Sequence, residues 1–503
     1  MANVVGTNIA GIGNDFEPGD LSALATYTAG TQTATSFTMV TPGDPDGGLT
    51  FNGTGFGAYS GNHPTTGTIT EIHIRNGEFG VFEANWTGLS ISVATFNTWV
   101  STDDITAFAN AAFGGADTIT GTDFGDHLVG YGGNDTITPG LRLDPLSPDS
   151  DIVSGGDGND TIVAQGALAG DNFNGDAGTD TLVITPGPLD VNPDDDTLGF
   201  HVSDFASATL NGFEAMTYAG NGLPTWASFS SSEIGTGFSA TTAVNGGAGA
   251  PTSNVLYVSM DTATIDMSGW TFTNWQSIPD LLAINQISDL MTNGYDAVAI
   301  QGGNAANTIT GTSQTDLING DGADDVGVEM ADTIHGGAGN DEIDGWGGAD
   351  QVFGDAGNDV LQAYTGEVVA GERFDGGADT DALEVNGQVD FQATTIVSIE
   401  ALKFRPDENQ VTPLAPQASF SSTQLGGGAL SATLHVTGSG LADFINIYAS
   451  STANMDLSGW TFSSWTAGSD FVAIYGGDGA NTLTGTTQSD QLDGGAGAGG
   501  AGE

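Results

Sequence analysis

The sequence predicts an all-β protein made of parallel β-roll or β-solenoid arrays, joined to an N-terminal antiparallel, β-sandwich-like domain. Three observations predict it. A nine-residue unit recurs in phase over long stretches of the chain. Glycine supplies 79 of 503 residues, about twice the usual share. Asp and Glu number 63 against 5 Lys and Arg, a formal net charge of −58, yet only 14% of residues are charged and 38% are hydrophobic. A disordered acidic tail has many more charges and far less apolar surface, so these acids belong to a folded chain that needs a counter-charge other than lysine.

Residues 1–100 hold alternating segments, LTFNGTGFGAY, TGTITEIHI and GVFEANW, separated by Gly, Asn and Pro clusters. That alternation is the mark of strands with one buried face, which predicts the antiparallel domain. The run TDDITAFANAAF at 102–113 has the spacing of a short helix leading into the repeats.

Repeats begin at 112. From Gly336 the chain reads GGAGNDEID, GWGGADQVF, GDAGNDVLQ, and the same unit stands at 155–163 as GGDGNDTIV. Each unit places an acid sixth and an apolar residue eighth. Three arrays follow from this phase, and a period of this kind decides the whole fold. The first, 112–183, has sixth-position Asp117, Asp126, Asp135, Asp160 and Asp180, with Asp151 closing a sixteen-residue unit at 139–154. The second, 302–384, has Asp316, Asp341, Asp350, Asp359 and Asp381, with Asp332 closing the matching long unit at 320–335. The third, 476–503, is degenerate: Asn481 and Asp490 hold the sixth position.

Spacers fill 184–301 and 385–475, and they are duplicates. IDMSGWTFTNW (265–275) matches MDLSGWTFSSW (455–465), while ATLNGFEAMTYAG (208–220) and TTIVSIEALKF (394–404) resemble each other as single solenoid rungs. The first spacer also contains SIPDLLAINQISDLM, whose apolar spacing predicts a short helix near 277–291.

The unit has a physical reading. Three residues form a strand whose middle side chain points inward, and the six before it turn the chain into the opposite layer. Glycines in the turn allow positive φ and close backbone approach. Stacking turns about 4.8 Å apart sets rows of carboxylates against each other, which only a bridging cation makes favourable. Carboxylate and turn carbonyls form a hard, all-oxygen, flexible cage, and that selects Ca²⁺ over transition metals and over magnesium. The candidate metal residues are the aspartates named above, except that Asn307 and Asn481 stand where an acid is expected, together with turn residues Gly155, Gly156, Asp157, Gly158, Gly336, Gly337, Gly339 and Gly357. Turn counting gives about ten ions. Neutralising −58 would take twenty-nine, half of 58, so ten leave about −38, enough to keep a surface soluble and repellent.

GGDGNDTIV and GGAGNDEID resemble the RTX, or haemolysin-type calcium-binding, repeat family, over roughly 112–183, 302–384 and 476–498. The resemblance implies a parallel β-roll with calcium in its turns, type I secretion from a Gram-negative bacterium, and folding outside the cell. The N-terminus lacks a basic, apolar signal peptide. The tail GGAGAGGAGE lacks the longer mixed segment the family uses for export, which points to a truncated chain or to another route.

Composition excludes several functions. Five cations cannot build a basic face for nucleic acid or anionic membrane, and no stretch reaches the ~18–20 apolar residues of a membrane span. With zero cysteines there is no disulfide, thiolate metal site or thiol nucleophile. The six histidines lack ligand spacing and HExxH and GxSxG are absent, so no catalytic set is expected. Trp270, Trp275, Trp460 and Trp465 suit either flank packing, the favoured reading, or a glycan-stacking platform. The leading expectation is a secreted calcium-binding protein with a structural, matrix or adhesive role, its partners calcium, and cell-surface or matrix glycans or further copies of itself. Two rivals are the non-catalytic accessory region of a larger enzyme or toxin, and a self-assembling surface-layer or filament subunit.

Overall fold

A computed structural model describes residues 3–6, 24, 27–43, 47–60, 63–75, 82–140, 150–167, 169–189, 200–219, 222–247, 253–279, 294–322, 330–406, 415–449 and 454–495. The chain divides into two compact units. One takes in the described residues up to 189 with 200–227 and 233–247, the other 228–232 and 253–495.

The first unit opens with an antiparallel meander of strands Thr28–Gln32, Ser36–Val40, Gly48–Gly57, Thr66–Arg75 and Phe82–Ser92, to which Asn3–Gly6 adds at the far side. Alternation buries Phe37, Met39, Phe51, Ile69, Ile72 and Trp86 on one face. Two sheets were expected to close this layer as a sandwich; instead two helices cover it. They are Val93–Thr102 and Ile105–Phe113, started by Ser92 and Asp104, whose side chains accept from Thr95 N and Ala107 N. Asp103, at φ 51, ends the first helix in the left-handed region. Phe96 meets Phe51 with ring centroids 5.2 Å apart, and Phe113 meets Trp86 at 5.1 Å. The first helix has Val93, Phe96, Trp99 and Val100 at helical spacing, a signal hidden behind the preceding strand-like run. The helix expected from 102–113 forms from Ile105.

Asn3–Gly6 pairs antiparallel with Phe82–Ser92 on one side and parallel with Thr118–Thr120 on the other. The parallel ladder then runs Thr118–Thr120, Thr136–Thr138, Thr161–Ala164, Thr181–Ile184, Phe213–Tyr218 and Phe238–Asn245. A second ladder holds His127–Val129, Ile152–Ser154, Asn172–Asn174 and Thr209–Asn211. Successive strands in sequence alternate between the two ladders, which is the two-layer roll. Eighth-position Ile119, Leu128, Ile137, Val153, Ile162 and Leu182 are all buried between them, each contributing roughly 1.5–3 kcal/mol relative to exposure.

The second unit repeats the plan. One ladder takes Asn254–Ser259, Ala297–Gln301, Asp316–Asn319, Glu342–Asp344, Val360–Tyr364, Ala382–Asn386, Ile399–Arg405 and Leu430–Thr437. The other takes Thr264–Asp266, Thr308–Thr310, Thr333–Ala338, Gln351–Ala356, Arg373–Asp375 and Thr395–Val397. Parallel pairing also joins Gln417–Ser421, Phe444–Tyr448, Phe471–Tyr475 and Asp490–Asp493. All-β architecture with parallel rolls is therefore the fold. Of the helix expected near 277–291, residues 280–291 lie outside the described residues.

The duplicated blocks share their turn. Trp270 N donates to Met267 O and Trp460 N to Leu457 O, both at 3.0 Å, and Asn274 and Ser464 both take φ 51. Trp270 and Trp460 are each 2% exposed, so both pack in the core and offer no face for a glycan. Trp275 lies against Phe272 and Trp465 against Phe462.

Candidate metal centres

In the turns of the rolls the first, second, fourth, fifth and sixth positions each have their own physical reason. The sixth-position aspartates are buried and stacked. Asp117 N donates to Asp135 Oδ1 (2.6 Å), Asp135 N to Asp160 Oδ1 (2.8 Å) and Asp160 N to Asp180 Oδ1 (2.7 Å). On the opposite ladder Asp126 N donates to Asp151 Oδ1 and Asp151 N to Asp171 Oδ1. In the second unit the bonds run from Asp316 N to Asp341 Oδ1, from Asp341 N to Asp359 Oδ1 and from Asp359 N to Asp381 Oδ1, and on the other ladder from Asn307 N to Asp332 Oδ1 and from Asp332 N to Asp350 Oδ1. One carboxylate oxygen is thus spent on the neighbouring rung. The other is left over: Oδ2 of Asp135, Asp160, Asp180, Asp332, Asp341, Asp350, Asp359 and Asp381 is buried with no hydrogen-bond partner.

An unpaired buried carboxylate oxygen is costly, and columns of them repel. Burial first, and neighbouring carboxylates second, push Asp350 and Asp359 up to about 8 and Asp135, Asp332 and Asp381 up to about 7. The described protein cations pair elsewhere. Among the described side chains Lys403 and Arg405 both reach Glu384 at 3.0 Å, and Arg373 pairs with Asp375 at 2.5 Å.

The glycines divide by position. Second-position Gly156, Gly337 and Gly377 have φ of 98°, 107° and 99°, and fourth-position Gly158, Gly339 and Gly357 lie between 138° and 146°. First-position Gly155 and Gly336 have no positive φ; their reason is space. A Cβ on Gly336 would come within 2.5 Å of Asp341 Oδ2 and 2.8 Å of Gly354 O, and one on Gly155 within 2.4 Å of Asp160 Oδ2. Gly336→Ala is accordingly expected to displace the Asp341 carboxylate, to lose about one bound ion, and to cost on the order of 1–3 kcal/mol through overpacking. Calcium stoichiometry and thermal melting of the variant check both.

The fifth position builds a second ladder. Asn134 Oδ1 accepts from Asn159 N and Asn159 Oδ1 from Thr179 N, while Asn340 and Asn358 accept likewise from Asn358 N and Thr380 N, all between 2.9 and 3.1 Å. Asp157, expected among the metal residues, is placed differently. Its side chain is exposed, and only its main chain joins the turns, donating to Tyr131 O at 3.0 Å and accepting from Gly133 N at 2.7 Å.

Asp126, Asp316 and Asp490 also depart from the expected pattern, because a threonine of their own turn binds the carboxylate. Several column members were missed by counting in nines. Asp171 belongs to the stack, and Glu214 and Glu400 end two columns by accepting from Asp180 N (2.8 Å) and Asp381 N (3.1 Å). Asp443 and Asp470 form a further pair at 3.1 Å. The signal was present: Asp171-Asn-Phe-Asn and Asp443-Phe-Ile-Asn both carry the acid-x-apolar-x ending of the unit.

No group of three or more His, Asp or Glu suited to a metal occurs among the described residues. A cation in these turns therefore draws most ligands from peptide carbonyls, which suits the hard oxygen chemistry of calcium. The buried, unpaired Oδ2 atoms and the glycine space beside them fit such an ion.

Fold and turns together define a β-roll repeat protein with cation-binding turns. The chain carries four copies of the RTX calcium-binding nonapeptide repeat, at residues 112–141, 301–328, 326–361 and 474–498, and repeats of this kind bind calcium. No curated protein and no solved structure matches the chain. Among the described residues no helix is long and apolar enough to cross a membrane.

Proposed function

We propose that this protein is a secreted, non-catalytic calcium-binding scaffold, which folds when its turns load with calcium outside the cell and serves a structural, matrix or adhesive role at the surface of a Gram-negative bacterium. The observation that carries the reading is the column of buried aspartates whose second carboxylate oxygen has no protein partner. Such columns are unfavourable without an ion and favourable with one, so folding and calcium binding are one equilibrium. Proteins with this repeat are typically secreted, and calcium at extracellular concentrations suits modules with Kd of about 10⁻⁴–10⁻³ M. The large acidic surplus keeps the loaded surface soluble.

Counting bound calcium on the full chain by equilibrium dialysis tests the proposal. Eight unpaired Oδ2 atoms, some shared between stacked turns, correspond to several ions. Fewer than about four would contradict the stacked-turn arrangement.

A further inference from the structure

The rolls contain turns of two kinds, and one residue position separates them. In the first kind the second residue is glycine or another residue at positive φ, such as Asp176 (66°), Trp346 (59°) or Asp355 (69°), and the aspartate four residues on keeps an unpartnered, buried Oδ2. In the second kind the second residue is threonine or serine, and the same oxygen is taken.

Thr312 N donates to Asp316 Oδ2 at 2.6 Å and its hydroxyl lies 3.0 Å from Oδ1. Ser439 N donates to Asp443 Oδ2 at 2.8 Å and its hydroxyl to Oδ1 at 2.6 Å. Thr486 N donates to Asp490 Oδ2 at 2.7 Å and its hydroxyl to Oδ1 at 2.8 Å. Thr122 N donates to Asp126 Oδ2 and its hydroxyl lies within 3.3 Å of both carboxylate oxygens, and Thr466 N donates to Asp470 Oδ2. The hydroxyl also receives the N–H of the fourth residue: Phe124, Gln314, Leu441 and Gln488 donate to Thr122, Thr312, Ser439 and Thr486 at 2.9–3.2 Å. None of these second residues has positive φ, nor do the fourth residues Phe124, Gln314, Leu441 and Gln488; in the Thr466 turn the fourth residue, Gly468, has φ 86. A hydroxyl here is a hub that accepts one backbone donor and gives its proton to the carboxylate.

We propose that calcium enters only the turns whose aspartate Oδ2 is left unpartnered, and that turns with threonine or serine at the second position close on their own hydroxyl and carry no ion. This rests on the calcium reading above and divides its sites. Asn481 supports it from the other side, since Nδ2 donates to the carbonyls of Gly477 (3.2 Å) and Gly479 (2.9 Å). There the side-chain amide takes up turn carbonyl oxygens that would otherwise face a cation. The third array matches the calcium-binding repeat, yet the sixth-position amide and acid of its two turns, Asn481 and Asp490, are satisfied from within. Residues 415–449 and 454–495 thereby become a stretch of roll that holds without metal, whereas the columns Asp135–Asp160–Asp180, Asp332–Asp350 and Asp341–Asp359–Asp381 depend on it.

Equilibrium calcium counting on the full chain, with circular dichroism in saturating calcium to confirm folding, tests this division. Asp443→Asn and Asp490→Asn should bind as many ions as the unaltered chain, and Asp359→Asn should bind at least one fewer. The double variant Thr312→Gly, Gln314→Gly turns GTSQTD into GGSGTD and should gain about one ion, while Thr312→Ser should leave the count unchanged. A loss of ions in Asp443→Asn or Asp490→Asn would overturn the division, as would an unchanged count in the double glycine variant. An unaltered chain that binds no calcium would overturn the calcium reading beneath it, and the division with it.

Discussion

Excess chelator is expected to unfold the turns around Asp135–Asp180 and Asp332–Asp381 and to leave the N-terminal sheet and helices folded. The two regions are held by different forces. Phe37, Phe51, Phe96, Phe108 and Trp86 are all buried against one another, and aromatic burial needs no ion. The columns bury charge instead. At a calcium concentration tenfold above Kd each site adds about 1.4 kcal/mol through mass action, so eight would add on the order of 11 kcal/mol. That is comparable with the whole stability of a domain, about 5–15 kcal/mol. Far-UV circular dichroism should lose part of its β signal in chelator, the part carried by the aspartate columns, and regain it with calcium. Identical melting with and without chelator would remove calcium from the account of the fold.

The second large effect is a reversal of pH dependence. In the ion-free fold burial raises Asp350 and Asp359 to about 8 and Asp135, Asp332 and Asp381 to about 7, whereas in the unfolded chain a carboxyl titrates near 3.9. Between these values the folded state holds more protons. Its stability from these groups is therefore fully present below about pH 4 and is lost as pH rises through 7 to 8. With calcium the sign turns, because each proton must leave before the ion binds. Apparent calcium affinity should rise about tenfold per pH unit, for each proton displaced, between pH 5 and 7. In chelator the rolls should keep more of their β signal at pH 5 than at pH 8; in saturating calcium the pH 8 sample should be at least as stable. A chelated protein more stable at pH 8 would show that the columns are not where the protons sit.

Periodicity alone revealed the roll, its inward residues and most of the aspartate columns, since a nine-residue unit with one apolar eighth position has few ways to bury it. Three things stayed hidden, each for a physical reason. Asp171 and Asp470 follow turns of different length, and a loop tolerates extra residues cheaply while the acid-x-apolar-x strand cannot shift without turning its side chains outward; Asp443 closes a lone nine-residue unit, 438–446, out of phase with the arrays. The two helices over the N-terminal sheet depend on what faces Phe51 and Trp86, a tertiary matter that alternation within one strand does not record.

The third concerns the turns themselves. Sequence established the acids, the glycines and the cation chemistry they require. Only the tertiary structure decided which acids are left with an open oxygen. Asp341 and Asp316 share a column and a sixth position, and what separates them is Thr312, whose N–H and hydroxyl reach the Asp316 carboxylate. That contact depends on the φ of the second residue, and so on how one turn stacks over the next, which no count of carboxylates contains.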